Sequence, residues 1–367
     1  MLARALLLAQ AASGSAAAWT GPAIKPVFSQ QGGVAALSID GKVSAAGWLV
    51  GNTQGGLDDN LASWEAEITH AAKAGVRIFG ICPDGQDLLG HPTPVLSNHT
   101  RAMVERVLAA APDALLYPRM PIGTWLGAGS AFERAELLSS ATSAPGKPAG
   151  TSIGSVYGSM TAAWANASAA RLAHFLSLLD AAFPGRIAGV HLSGLAAGEF
   201  RWEQPPENSG YSDYSSSFVA EYQRERGGGG AVATAEDRCS PPDGNIFVTQ
   251  ASADFNLFIS RAVQRAISAC AQAAKAAMDG KGLVVAFYGY VNELGGHRAS
   301  GSGHLALAQL LSDDNIDGIA SPYKYGLNQF RRPTGNFGEW TCSDSLAGTA
   351  PSPLATAGPS PSHRAVV

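Results

Sequence analysis

Charge is scarce in this chain, and nowhere does it collect with one sign. Of the 367 residues 15% are charged against 46% hydrophobic, so the chain can bury one large core, and one principal domain is the expectation. The formal net charge is -4, with acidic and basic residues interspersed. No basic stripe is available to neutralise a phosphate backbone, which argues against nucleic acid as a partner. Cysteine is rare too. Cys82, Cys239, Cys270 and Cys342 lack the close spacing of a metal site; they admit one or two disulfides in an oxidising compartment, with the pairing open. After residue 18 no stretch holds eighteen uninterrupted apolar residues, so no membrane span is expected. There is no H-E-x-x-H pair, Walker loop or dinucleotide fingerprint between a strand and a helix, and no cofactor or metal is implied. Gly150-Thr-Ser152-Ile-Gly154 matches a nucleophile elbow in letters only, because Ser143 to Pro148 before it is not a strand.

What is present begins with a leader. A basic Arg4, an apolar run from Ala5 to Ala12 and small residues ending in Ala16-Ala17-Ala18 precede Trp19. That order is a secretory signal, and its apolar run is too short to cross a bilayer. Residues 1–18 are therefore expected to be removed and the product secreted. Two sequons, Asn98-His99-Thr100 and Asn166-Ala167-Ser168, agree with that compartment and mark Asn98 and Asn166 as glycan acceptors.

From about residue 34 onward, short apolar runs alternate with longer segments of helical period, the sequence form of repeated βα units. An Asp40-Gly41 turn between Val34 to Ile39 and Val43 to Val50 predicts a hairpin that precedes or opens a barrel. Leu61, Trp64, Ile68 and Ala71 share a helical face that Gly75 ends. Further strands are predicted at Val76 to Ile81, Ala114 to Tyr117, Ile187 to Leu192, Leu283 to Phe287 and Asp317 to Ala320. Helices are predicted around Met103 to Leu108, around Leu172 to Leu179 and, at greater length, from Phe255 to Cys270. A Ser/Gly/Ala-rich loop follows the Ala114 to Tyr117 strand, the third counted from the hairpin, and Gly227 to Gly230 reads as a surface loop beside a polar, tyrosine-rich stretch. Residues 341–367, mostly Ser, Ala, Pro, Thr and Gly, read as a low-complexity tail. About six βα-type strands are recognisable where a closed barrel needs eight, so the expected fold is a (β/α)8 TIM-barrel type, incomplete toward its C-terminus, over residues 19–340.

Parallel barrels gather their functional groups at the C-terminal ends of the strands. Arg119 follows the third strand and Glu199 the fourth; Tyr288, Tyr290 and Glu293 follow the fifth and Tyr323 the sixth, while Trp125 and Trp202 lie in the loops between. Carboxylates, aromatics and a cation at one mouth suit sugars, because aromatic faces stack on sugar rings and a carboxylic acid protonates the leaving oxygen. The partner expected is an oligo- or polysaccharide. His191, inside the fourth strand, is most simply a hydrogen-bonded interior histidine.

Several ordered segments resemble the β-galactosidase-like proteins around glycoside hydrolase family 42, in clan A of the glycosidases. They are Pro118-Arg119-Met-Pro with Trp125; Gly-Glu199-Phe-Arg-Trp202 before Asp213-Tyr-Ser; Phe287-Tyr-Gly-Tyr290 with Glu293-Leu; Ser302-Gly-His304-Leu-Ala-Leu; and Asp317-Gly-Ile-Ala-Ser-Pro-Tyr323. The resemblance runs from about residue 35 to 340. It implies retaining hydrolysis of β-linked sugars, with an acid/base Glu after the fourth strand and a nucleophilic Glu after the seventh. Glu199 matches the first position, although Gly198 stands where clan A commonly has Asn. No residue matches the second, since Gly338-Glu339-Trp340 runs into the low-complexity tail. Retaining chemistry needs two carboxyl groups roughly 5 Å apart. The competing expectation is therefore a catalytically silent carbohydrate-binding barrel, or a truncated gene product lacking the nucleophile strand.

Overall fold

The computed structural model describes residues 18–28, 35–44, 48–50, 61–83, 87–88, 93–123, 160–194, 214–229, 231–233, 249–288 and 303–320, with backbone alone at 35, 48–50 and 61–63. The elements in chain order are β1 (Ile24–Phe28), β2 (Ala35–Ile39), β3 (Lys42–Ser44), β4 (Trp48–Val50), α1 (Leu61–Lys73), β5 (Ile78–Ile81), α2 (Asn98–Ala110), β6 (Leu115–Pro121), α3 (Ala162–Ala182), β7 (Gly189–Ser193), α4 (Ser216–Glu225), α5 (Gln250–Ala277), β8 (Leu283–Phe287), α6 (Leu307–Leu311) and β9 (Gly318–Ala320). β4 to β9 form a parallel sheet in sequence order, with crossovers that carry the longer helices, and β1 to β3 form a separate antiparallel sheet. The α/β, TIM-barrel-type fold expected from the alternation is what is found.

The hairpin differs in detail. One strand was expected over Val43 to Val50, but β3 pairs antiparallel with β2 while β4 pairs parallel with β5. The same apolar run therefore serves two sheets. Asp40 and Gly41 close the β2–β3 turn with φ of 48° and 81°, the left-handed pair that a two-residue hairpin demands. The Asp40 carboxylate also accepts the Ala23 N–H at 2.8 Å. β1 was not anticipated. Pro26 interrupts its pattern, but β1 is an edge strand, where a missing donor is tolerated.

Ile24, Leu37 and Ile39 of the antiparallel sheet share one apolar cluster with Ile78, Leu115 and Leu283, residues at the beginnings of β5, β6 and β8. The Ile24 N–H donates to the Lys281 carbonyl just before β8. The small sheet thus plugs the N-terminal end of the parallel strands and leaves the C-terminal end as the mouth.

Around the strands the helices bury their apolar stripes. In α5 the residues Phe255, Phe258, Ile259, Ala262, Val263, Ala266, Ile267 and Cys270 are all buried, as the periodicity predicts. Each fully buried Phe, Ile or Val there contributes about 1.5–3 kcal/mol. α5 packs most extensively on α3, whose Leu172, Phe175, Leu176 and Leu179 are also fully buried. Burial pushes the Cys270 thiol pKa up, and Cys82 and Cys270 are free thiols. α4 lies in the polar, tyrosine-rich stretch, where no helix was predicted. Ser215 caps it by accepting from the Phe218 N–H, and Phe218 and Tyr222, one helical turn apart, pack edge-on against Phe255 and Phe258.

At the floor, Lys275 of α5 meets Asp317, which also accepts the Val284 N–H at 2.7 Å, while Lys275 Nζ donates to the Gly282 carbonyl at 2.9 Å. Both charged side chains are about 15% exposed (15% and 16%), so the pair is mostly withdrawn from water. Removing one partner strands the other. Asp317→Ala is therefore expected to cost about 2–4 kcal/mol, read as a lower denaturation midpoint, with Asp317→Asn losing less because it keeps an acceptor for the Val284 N–H.

Candidate functional site

Which side chains reach the inside of the barrel is set by strand parity and by one irregularity. Along β8, Leu283, Val285 and Phe287 face the inner cluster, while Val284 and Ala286 face the helices. Along β6, Leu115 and Tyr117 face inward and Leu116 and Met120 outward, so Arg119 follows Tyr117 onto the inner face. In β7 the alternation slips. Leu116 pairs with Ile187, whereas Arg119 pairs with His191, so β7 carries one more residue than β6 over the same span. Ala188 accordingly faces inward and Val190 outward although both are even-numbered. This is a bulge centred on Gly189, and it turns His191 to the inner face beside Arg119.

The inner face at the mouth is then a compact set. The Tyr117 and His191 rings stack with centroids 5.9 Å apart at an interplanar angle of 15°. His191 meets Phe287 edge-on, also at 5.9 Å, and the Arg119 guanidinium lies 5.1 Å from the Phe287 ring centroid. Arg119 is partly exposed and the three rings beneath it are buried. A guanidinium held over an aromatic face gains about 0.5–1 kcal/mol, and its fork of donors is aimed rather than floppy.

Burial and, second, the charge of Arg119 hold the His191 pKa well below the ordinary histidine value. His191 therefore stays neutral at physiological pH, with one donor and one acceptor nitrogen. The consequence for stability has a definite sign. The unfolded chain takes up a proton below about pH 6.5 while folded His191 resists it, so stability falls as pH drops from there toward the folded value. Relative to a His191→Gln chain, the parent should lose melting temperature below that pH and match it in trend above. Parallel profiles throughout would remove His191 as the source.

Of the residues singled out in the sequence, Arg119 stands at this mouth. Tyr288 does not. Its ring is buried against His304 with centroids 4.4 Å apart; its hydroxyl donates to the Gly303 carbonyl at 2.8 Å and accepts the Ala306 N–H at 3.1 Å. Burial raises its phenol pKa further. There Tyr288 anchors Gly303 to Ala306 before α6, because the residue after Phe287 takes the opposite face of the strand. Glu199, Trp125, Trp202, Tyr290, Glu293 and Tyr323 lie outside the described residues, as do residues 1–17 of the leader and the 341–367 tail. Asn98 and Asn166 are exposed, on the first turn of α2 and the second turn of α3. The hydroxyl of Ser168 is buried and donates to the Ile122 carbonyl at 2.9 Å, beside the Trp164 indole N–H at 3.3 Å.

Tyr117 and Phe287 were not recognised as site residues. A signal existed: each sits at an even spacing from Arg119 or from the end of its strand, which gives the face. Their aromatic character alone read as core.

No family model matches the chain, and no curated protein matches it in sequence. Among solved structures, the catalytic domain of a β-amylase from Paenibacillus polymyxa aligns over 76% of this chain and 77% of its own, at TM-score 0.50 and 14% identity. The glycoside hydrolase domain of PgaB (BpsB) from Bordetella bronchiseptica aligns over 76% of this chain and 74% of its own, at TM-score 0.44 and 11% identity. A β-galactosidase from Marinomonas ef1 aligns over 80% of this chain but 42% of its own, at TM-score 0.46 and 10% identity, so the chain spans less than half of that protein. At such identities the likeness to the β-amylase domain is one of fold, and the fold is the α/β, TIM-barrel type.

Proposed function

We propose that this chain is an exported glycoside hydrolase that works at the C-terminal mouth of its parallel sheet on β-linked, galactoside-type sugars, with Glu199 as the acid/base. The observation that carries the reading is the inward-facing set of Arg119, His191, Tyr117 and Phe287 at the ends of β6, β7 and β8. Glu199 comes six residues after Ser193, the last residue of β7, in the sequence, which supports assigning it to that end. In that set the partly exposed Arg119 guanidinium lies over buried aromatic rings and a neutral imidazole, a floor that suits a polyhydroxylated ligand without net charge. The shared fold with a β-amylase domain is an analogy of scaffold and adds only to the prior.

Within this reading Glu199 protonates the glycosidic oxygen, Arg119 orients ring hydroxyls, and Trp125, Trp202, Tyr290, Glu293 and Tyr323 complete the sugar contacts from the loops. Phe200 and Trp202 flank the acid with apolar surface, which favours its protonated form. Export removes residues 1–18, and Asn98 and Asn166, both on exposed helix faces, carry glycans. The test is hydrolysis of aryl β-galactosides by the secreted chain and by Glu199→Gln, alongside sugar binding by calorimetry. Binding without turnover by the parent chain would replace the enzyme with the silent carbohydrate-binding barrel.

A further inference from the structure

We infer that the Asp279 carboxylate is a seat for the α-ammonium group of Trp19, so that removal of the leader completes an ion pair the uncut chain does not have. The inference rests on the reading of residues 1–18 as a cleaved leader and is independent of what the mouth binds.

The Trp19 backbone nitrogen lies 3.0 Å from Asp279 Oδ2, across 260 residues of sequence. Trp19 itself is buried, whereas Ala18 before it is exposed. The bond between them thus marks the point at which the chain enters the fold. The next residue is held as firmly: the Thr20 N–H and hydroxyl donate to the two oxygens of Asp180 at 2.9 and 2.7 Å, and the Thr20 hydroxyl accepts the Gly185 N–H at 2.7 Å. Gly21 then passes so close to the Ile187 carbonyl that a Cβ there would collide with it. Two aspartates therefore hold the first two residues of the predicted mature chain in one place.

In the uncut chain Asp279 receives one neutral N–H. Hydrolysis breaks the Ala18 carbonyl carbon–Trp19 nitrogen bond with one water: the hydroxyl ends on Ala18, the hydrogen on the Trp19 nitrogen, and the new acid's proton passes to the new amine. The leader leaves with a carboxylate, and Trp19 gains a full positive charge at the same position. Two features favour that charge there. Asp279 is the nearest anion, and it sits just beyond the C-terminal end of α5, where the helix dipole is negative. The cation already near Asp279 is Lys281, whose Nζ is 4.0 Å from the same oxygen, too far for a hydrogen bond. Asp180 adds a second negative charge one residue on.

The experiment uses the secreted protein. N-terminal sequencing should begin at Trp19. An amine-selective reagent near neutral pH should label that α-amine about tenfold or more slowly in the folded chain than in urea, since pairing raises its pKa above the ordinary value near 8. Asp279→Asn should restore fast labelling and lower the melting temperature by about 1–3 °C. The same substitution should cost less in a chain retaining Ala18, where the ammonium sits one residue away and Trp19 presents only a neutral amide N–H to Asp279. A mature chain starting elsewhere, equal labelling in folded and unfolded protein, or an Asp279→Asn shift of the same size with and without Ala18 would each overturn the inference.

Discussion

A Glu199→Gln chain should lose hydrolysis of β-galactoside-type substrates by about 10²–10⁴-fold, the usual contribution of a positioned general acid–base, while melting at the parent temperature. Glutamine keeps the shape of the side chain and removes its transferable proton, so the loss would report chemistry and not folding. The loss should also depend on the leaving group. A phenolate activated by nitro groups departs without protonation, whereas an alkoxide of a sugar does not, so the deficit should shrink on the activated substrate and stay large on the natural type of bond. An equal deficit on both would assign Glu199 to binding. Unchanged turnover would take it out of the mechanism altogether.

Gly189→Ala should be the most damaging single methyl in the described core, at about 3 kcal/mol or more. A Cβ at this position would sit on the Leu283 carbonyl oxygen and within 2.7 Å of its backbone nitrogen and carbonyl carbon. These are backbone atoms of the neighbouring strand, so no side chain can rotate away and β7 must part from β8. Separating them disturbs the bulge as well, and with it the placement of His191 beside Arg119. The expected signature is a large drop in folded yield and denaturation midpoint, together with loss of any activity. Gly229→Ala is the control, because nothing stands within 4 Å of a Cβ there. Similar midpoints for the two variants would mean that β7 and β8 do not approach as described.

The elements that were legible are those whose signal is local. The run Leu283 to Phe287 is a short unbroken apolar stretch and the stripe from Phe255 to Cys270 carries period 3.6 within its own length, and each forms the predicted element. α4 was missed because its Ser215 cap and its Phe218–Tyr222 pair span only about two turns in a polar stretch; the helix is held by Phe255 and Phe258 of α5, which lie far along the chain. β1 was missed for a similar reason, since its pattern matters only once β2 lies beside it.

The site divides along the same line. Arg119 was recognisable because a cation close after an apolar run is visible in one dimension. Tyr288 also follows an apolar run, but by one residue from Phe287 where Arg119 stands two from Tyr117, and that difference in parity puts it on the opposite face, at the segment before α6.

By itself, then, the sequence determined the order of most strands and helices and the end of the sheet at which Arg119 lies, since both are written in neighbouring residues. The tertiary structure decided which face each side chain takes, that a bulge at Gly189 brings His191 to Arg119, and that Trp19 meets Asp279. Those depend on the register between strands and on contacts between distant segments, which exist only after the sheet has closed its pairs and buried its core.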